Sequence, residues 1–100
     1  MSKKRYLVEF DFGLWYAFGC SLEILSEEDL KNVEEFVASG KEIYLGEIEG
    51  KHSEVYGPLE KKDYRIVTTD SKEIEVFEKL FGECYGAFCV LEAIGEAQNK

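Results

Sequence analysis

The chain's only histidine, His52, sits in the run Gly46-Glu47-Ile48-Glu49-Gly50-Lys51-His52-Ser53-Glu54. Imidazole is the side chain most readily used for chemistry near neutral pH. On an extended hairpin, residues two apart share a face. His52 and Glu54 would then stand side by side and meet Glu47 or Glu49 across the strands. A histidine among carboxylates could work as a general base or a metal ligand. A zinc site, however, calls for a second histidine or paired cysteines, and neither accompanies His52 here. A polar structural role is the default.

Cys20, Cys84 and Cys89 are the other candidates. Cys20 could in principle be a nucleophile with His52 as its base, although free cysteines usually behave as small buried hydrophobes. Four residues separate Cys84 from Cys89, not the two of a zinc knuckle or a redox pair. Nothing nearby in sequence supplies the electropositive setting that activates a thiol. The residues suggest no catalytic group, no metal ligand and no cofactor, and three free thiols are expected in a non-enzymatic protein. Phosphate-binding and dinucleotide-binding glycine patterns, Gly-x-Ser-x-Gly, His-Glu-x-x-His and calcium-loop patterns are all absent.

Carboxylates are the most unusual population. The net charge is -9, and its distribution is uneven. Residues 1–20 sum to +1, residues 61–100 to -2, and residues 21–60 to -8, with Lys31, Lys41 and Lys51 set against eleven acids. Such a field repels phosphate backbones and anionic membranes, and it favours cationic partners. These include the basic grooves of proteins that themselves hold nucleic acid. Glu27, Glu28, Glu34 and Glu35 on one helix, with Glu47, Glu49, His52 and Glu54 on the hairpin, are the candidate contact residues. The plainer alternative is that acidity serves solubility. The run Trp15-Tyr16-Ala17-Phe18 adds two aromatic candidates, Trp15 and Tyr16, which belong either to the core or to an interface.

The elements that must position these groups can be read from periodicity. Tyr6–Phe12 alternates as a half-buried strand, with Tyr6, Val8, Phe10 and Phe12 on one side and Leu7, Glu9 and Asp11 on the other. A second strand over 14–25, bent near Gly19, pairs back on it. Ser26 and Asp29 form a capping box for a helix over 27–39. Leu30, Val33, Phe36 and Val37 make its buried stripe, Glu27–Lys31 a favourable pair, and Gly40 its stop. Residues 42–49 and 52–56 read as a hairpin turning at Gly50-Lys51 and ended by Gly57-Pro58. Residues 64–69 form a strand, and Asp70 caps a helix over 71–81 with Ile74, Phe77, Leu80 and Phe81 buried. Ala87–Ile94 reads as a last strand that turns helical near its end, and 95–100 as a frayed tail. The order ββ-α-βββ-α-β predicts an α+β fold, two helices on one face of a mostly antiparallel sheet.

The 100 residues suit one domain, which buries roughly 60–70% of its unfolded surface. An aromatic fraction of 14% excludes a disordered chain despite 33% charged residues. No apolar run approaches the roughly 18 residues of a spanning helix. Lys3, Lys4 and Arg5 resemble the start of a secretory signal, but Glu9 and Asp11 interrupt the apolar stretch behind them. Three cysteines without a disulfide framework point to a reducing, cytoplasmic compartment.

The stretch Tyr-Leu-Gly-Glu-Ile-Glu-Gly-Lys-His-Ser-Glu-Val-Tyr, residues 44–56, resembles a segment found in short uncharacterised acidic proteins of bacteria and their phages or mobile elements. That resemblance implies a protein that binds and blocks a host protein, sometimes by mimicking nucleic acid. Three functions are carried forward. The first is an acidic inhibitor-like module docking on a basic protein surface. The second is a ligand-binding or catalytic domain centred on His52, Glu47 and Glu54. The third is a domain that homo-oligomerises through an aromatic strand face, as a homodimer in its simplest form.

Overall fold

The computed structural model describes residues 4–11, 20–44, 56–86 and 89–98. The fold is α+β. Strands β1 (Arg5–Asp11), β2 (Cys20–Ser26), β5 (Tyr64–Thr68) and β6 (Cys84–Gly86) form one antiparallel sheet in the order β5-β1-β2-β6. Strands β3 (Glu42–Tyr44) and β4 (Tyr56–Pro58) form a separate antiparallel pair. Among the described residues there are also three α-helices: α1 (Glu27–Ser39), α2 (Ser71–Phe81) and α3 (Val90–Gln98).

Helix α1 forms where its local signals predict. The Ser26 hydroxyl accepts from the Asp29 backbone N–H at 3.1 Å, and the Asp29 carboxylate accepts from the Ser26 N–H at 3.3 Å. Gly40, at φ 69°, takes the left-handed conformation that ends the helix at little steric cost. Val33 and Phe36 are buried, with Leu30 and Val37 packed beside them. The Glu27–Lys31 pair does not close: neither residue makes an ion pair with a described partner, as expected of solvated side chains with little to gain. Helix α2 is capped by the Asp70 carboxylate, which accepts from the backbone N–H groups of Lys72 and Glu73 at 2.8 and 3.4 Å.

Strand β1 is covered on both faces, not one. Val8 and Phe10 lie in a core with Leu25, Val33, Phe36, Val90 and Ile94, contributed by β2, α1 and α3. Leu7 points the other way, into a second cluster with Ile74 and Phe77 of α2, flanked by Leu22 and Ile24. The two expected helices therefore pack on opposite faces of the sheet. Strand alternation explains why: β1 and β2 offer apolar residues in both phases, so each face needs cover.

Three further expectations are corrected. The expected last strand over 87–94 is corrected in its described part: residues 90–94 are helical, earlier than the helical end expected there, and Ala87 and Phe88 lie outside the described residues. Strand β6 is shorter and earlier, and Val90 begins a helix whose residues 90, 93, 94 and 97 recur at helical spacing. A short apolar run reads equally as strand or helix, and here packing against α1 and β3 decides the matter. Of the tail 95–100, expected to fray, residues 95–98 belong to that helix and 99–100 lie outside the described residues. The stripe on α2 is also narrower than expected. Ile74 and Phe77 are buried, but Leu80 is 68% and Phe81 46% exposed, because Ile74 and Phe77 alone reach the apolar patch of Leu7, Leu22 and Ile24 on that face of the sheet.

The hairpin pairing is present over its described part. Tyr44 faces Tyr56, Ile43 faces Gly57 and Glu42 faces Pro58, a register centred on position 50. Gly57 and Pro58 pair within β4 rather than stopping it, which a proline tolerates at a strand edge. The expected strand residues 14–19 (with the Gly19 bend), Phe12, residues 45–49 and 52–55, and the Gly50-Lys51 turn lie outside the described residues.

Candidate functional site

Among the described residues the most unusual group is Glu23. It sits on β2 in the phase of Leu25 and Ser21, facing α1 and α3, with Val8 opposite on one side and Cys84 on the other. It is 1% exposed. A buried carboxylate survives only if its oxygens are satisfied, and both are. Oε2 accepts from the Val90 backbone N–H at 2.8 Å and from the Ser21 hydroxyl at 3.1 Å. Oε1 accepts from the Leu91 backbone N–H at 3.1 Å and from the Cys89 thiol at 3.3 Å. The carboxylate thus occupies the N-terminal end of α3, where unpaired N–H groups and the helix dipole favour negative charge. It acts as a cap supplied from another element.

Two thiols border it. Cys84 and Cys89 are half-buried and carry no disulfide, and their sulfurs lie with a Glu23 oxygen in a group whose members are all within 4.8 Å of one another. The Cys84 sulfur also touches the Ser21 hydroxyl at 4.0 Å. Burial is the main cause that raises the Cys89 thiol, from its ordinary 9.0 to about 12, and the Glu23 charge adds to it. Burial and then Glu23 raise Cys84 as well, against lowering hydrogen bonds from Ser21 and Cys89. Both groups are neutral thiols at physiological pH, so neither is a ready nucleophile. Chemically the cluster can anchor a helix or offer soft and hard donors to a cation.

Sequence reasoning passed over this cluster. Spacing along the chain separates Cys84 from Cys89 and both from Glu23, and only the β2–β6 pairing with the chain's return into α3 unites them. One signal was present: Glu23 alternates in phase with Leu25, which puts a charge on a buried face.

Of the residues singled out in the sequence, Glu27, Glu28, Glu34 and Glu35 are exposed on α1. Among the described residues none of the four makes an ion pair. Glu34 raises the Tyr64 phenol, second to that group's burial. Trp15, Tyr16, Glu47, Glu49, His52 and Glu54 lie outside the described residues. A different exposed feature appears on the far side of the sheet. Val76, Leu80, Phe81 and Tyr85 are all exposed, with the Phe81 ring 5.2 Å from Phe77 and 4.4 Å from Tyr85. No helix among the described residues is long and apolar enough to cross a membrane. Comparison with known protein families, curated proteins and solved structures finds no match.

Proposed function

We propose that the protein is a non-enzymatic, acidic protein-binding module that docks on a basic surface of a partner, such as the nucleic-acid-binding groove of a host protein, in the manner of a phage-type inhibitor. One observation carries this reading: Glu27, Glu28, Glu34 and Glu35 stand exposed on a helix whose opposite stripe is locked into the core, and no described cation neutralises them. A rigid helix holding two pairs of solvated carboxylates about two turns apart presents spaced negative charge without an ordering cost on binding. Its field steers encounter with a cationic surface and repels nucleic acid itself.

The test begins by identifying a partner retained from host lysate and then measuring association with the purified pair. Reversal of Glu34 and Glu35 to Lys, which spares the first turn of α1, should cut the association rate. Adding Glu27→Lys and Glu28→Lys should abolish binding while far-UV circular dichroism stays native. Association should also slow with salt, since at about 0.15 M exposed charges are screened beyond about 8 Å. His52→Ala should change little. Binding that ignores both salt and the four reversals, yet fails with His52→Ala, would overturn the reading in favour of a ligand or catalytic site on the hairpin.

A further inference from the structure

The cluster around Glu23 brings two thiols beside the carboxylate that caps the helix, a donor set separate from the acidic face. Its donors come from three parts of the chain. Glu23 is on β2, Cys84 on β6, and Cys89 immediately precedes α3. The carboxylate forms a buried floor and the two half-buried thiols form the rim, so an ion would meet sulfur first on its way in from solvent. Two sulfurs and one oxygen make a donor set for a thiophilic divalent cation, not for calcium or magnesium, which take oxygen. The spacing is close to what such an ion requires. Tetrahedral zinc with bonds of about 2.3 Å to sulfur places its ligand atoms about 3.8 Å apart, and the three donors already lie within 4.8 Å of one another.

We propose that Glu23, Cys84 and Cys89 form a binding site for zinc or a similar thiophilic divalent cation, with the fourth position open to water. Binding replaces the two thiol protons, which leave to solvent, by two metal–sulfur bonds, and Glu23 contributes one metal–oxygen bond. Two thiolates and a carboxylate against a divalent ion leave one negative charge, which faces the positive end of α3. The backbone N–H groups of Val90 and Leu91 and the Ser21 hydroxyl already fix the carboxylate, the outer-shell support that metal ligands require. No metal ligand is expected from the sequence, because neither the four-residue spacing nor a lone glutamate signals one. The sheet pairing supplies the third donor.

The test uses the whole protein kept reduced, with cobalt(II) as spectroscopic probe and zinc(II) as competitor. The expected result is one cobalt per chain, with a thiolate-to-metal charge-transfer band and tetrahedral d–d bands, both removed by zinc. Cys84→Ser and Cys89→Ser should each weaken the charge-transfer band and the two together abolish it, Glu23→Gln should weaken cobalt binding by at least the roughly tenfold that loss of an outer-shell partner costs, and Cys20→Ser should change nothing. On the unsubstituted protein, zinc should slow alkylation of Cys84 and Cys89, read peptide by peptide, and raise the melting temperature. Absence of a thiolate band together with unaltered alkylation would overturn the proposal. So would a band that survives both cysteine substitutions, or cobalt affinity indifferent to Glu23→Gln.

Discussion

At the scale of single residues, Glu23 is the group whose loss should be felt most. Glu23→Ala leaves the Val90 and Leu91 N–H groups without acceptors in a dry setting, at about 1–3 kcal/mol each. Glu23→Gln keeps the shape but turns one acceptor oxygen into a donor facing other donors, so it should also destabilise, by less. In a domain of this size each kilocalorie is worth roughly 4–8 °C of melting temperature, so both variants should melt visibly lower in metal-free buffer. A Glu23→Ala protein as stable as the original would show that the cap contributes nothing. Cys89 gives a pH signature. Its thiol is raised from 9.0 to about 12 in the folded protein, so between those values the folded chain binds more protons than the unfolded one. Stability is therefore complete below about pH 9 and falls as pH climbs toward 12. Denaturant midpoints for the original and Cys89→Ser across that range check this, since the serine variant should lose less on the alkaline side.

Legibility differed among the elements for physical reasons. Helix α1 could be read because local signals agree: a capping box, a four-residue apolar stripe and a glycine stop all specify the same boundaries. Helix α3 could not, because its cap is a side chain from β2, and a cap distant in sequence leaves no local trace. Helix α2 lies between these cases. Asp70 and the periodic apolar residues marked its span, yet nothing local told Phe77 from Leu80. The structure separates them, with Phe77 8% and Leu80 68% exposed. Phe77→Ala should cost about 3–5 kcal/mol by opening a cavity, whereas Leu80→Ala should stay within about 0.5 kcal/mol. Urea midpoints of the two variants test this. Equal losses would mean that Leu80 is covered in solution.

For the whole molecule, the consequential feature is a sheet clothed on both faces, where the element order predicts two helices on one face. Order constrains which elements exist, but not which side of the sheet each helix takes. That choice depends on the phase of residues such as Leu7, whose burial against α2 runs counter to a one-faced strand. The acidic helix α1 and the exposed apolar side of α2 consequently lie on opposite sides of the sheet. The two cores are unequal. Among the described residues, the α1/α3 side joins ten buried residues, while the α2 side joins Leu7, Ile74 and Phe77. Outside that apolar cluster, the ion pair that ties α2 to the sheet among the described residues is Arg5–Glu78 at 3.1 Å, whose partly exposed partners contribute little. Local opening is governed by the amount of apolar contact that must be broken. Native-state hydrogen exchange should therefore find the amides of α2 opening at a lower free energy than those of α1 and of the central strands β1 and β2, with α3 closer to the latter through its Glu23 anchor. Exchange in α2 as slow as in β1 would mean that the sheet's second face is as firmly covered as its first, and that the molecule opens only as a whole.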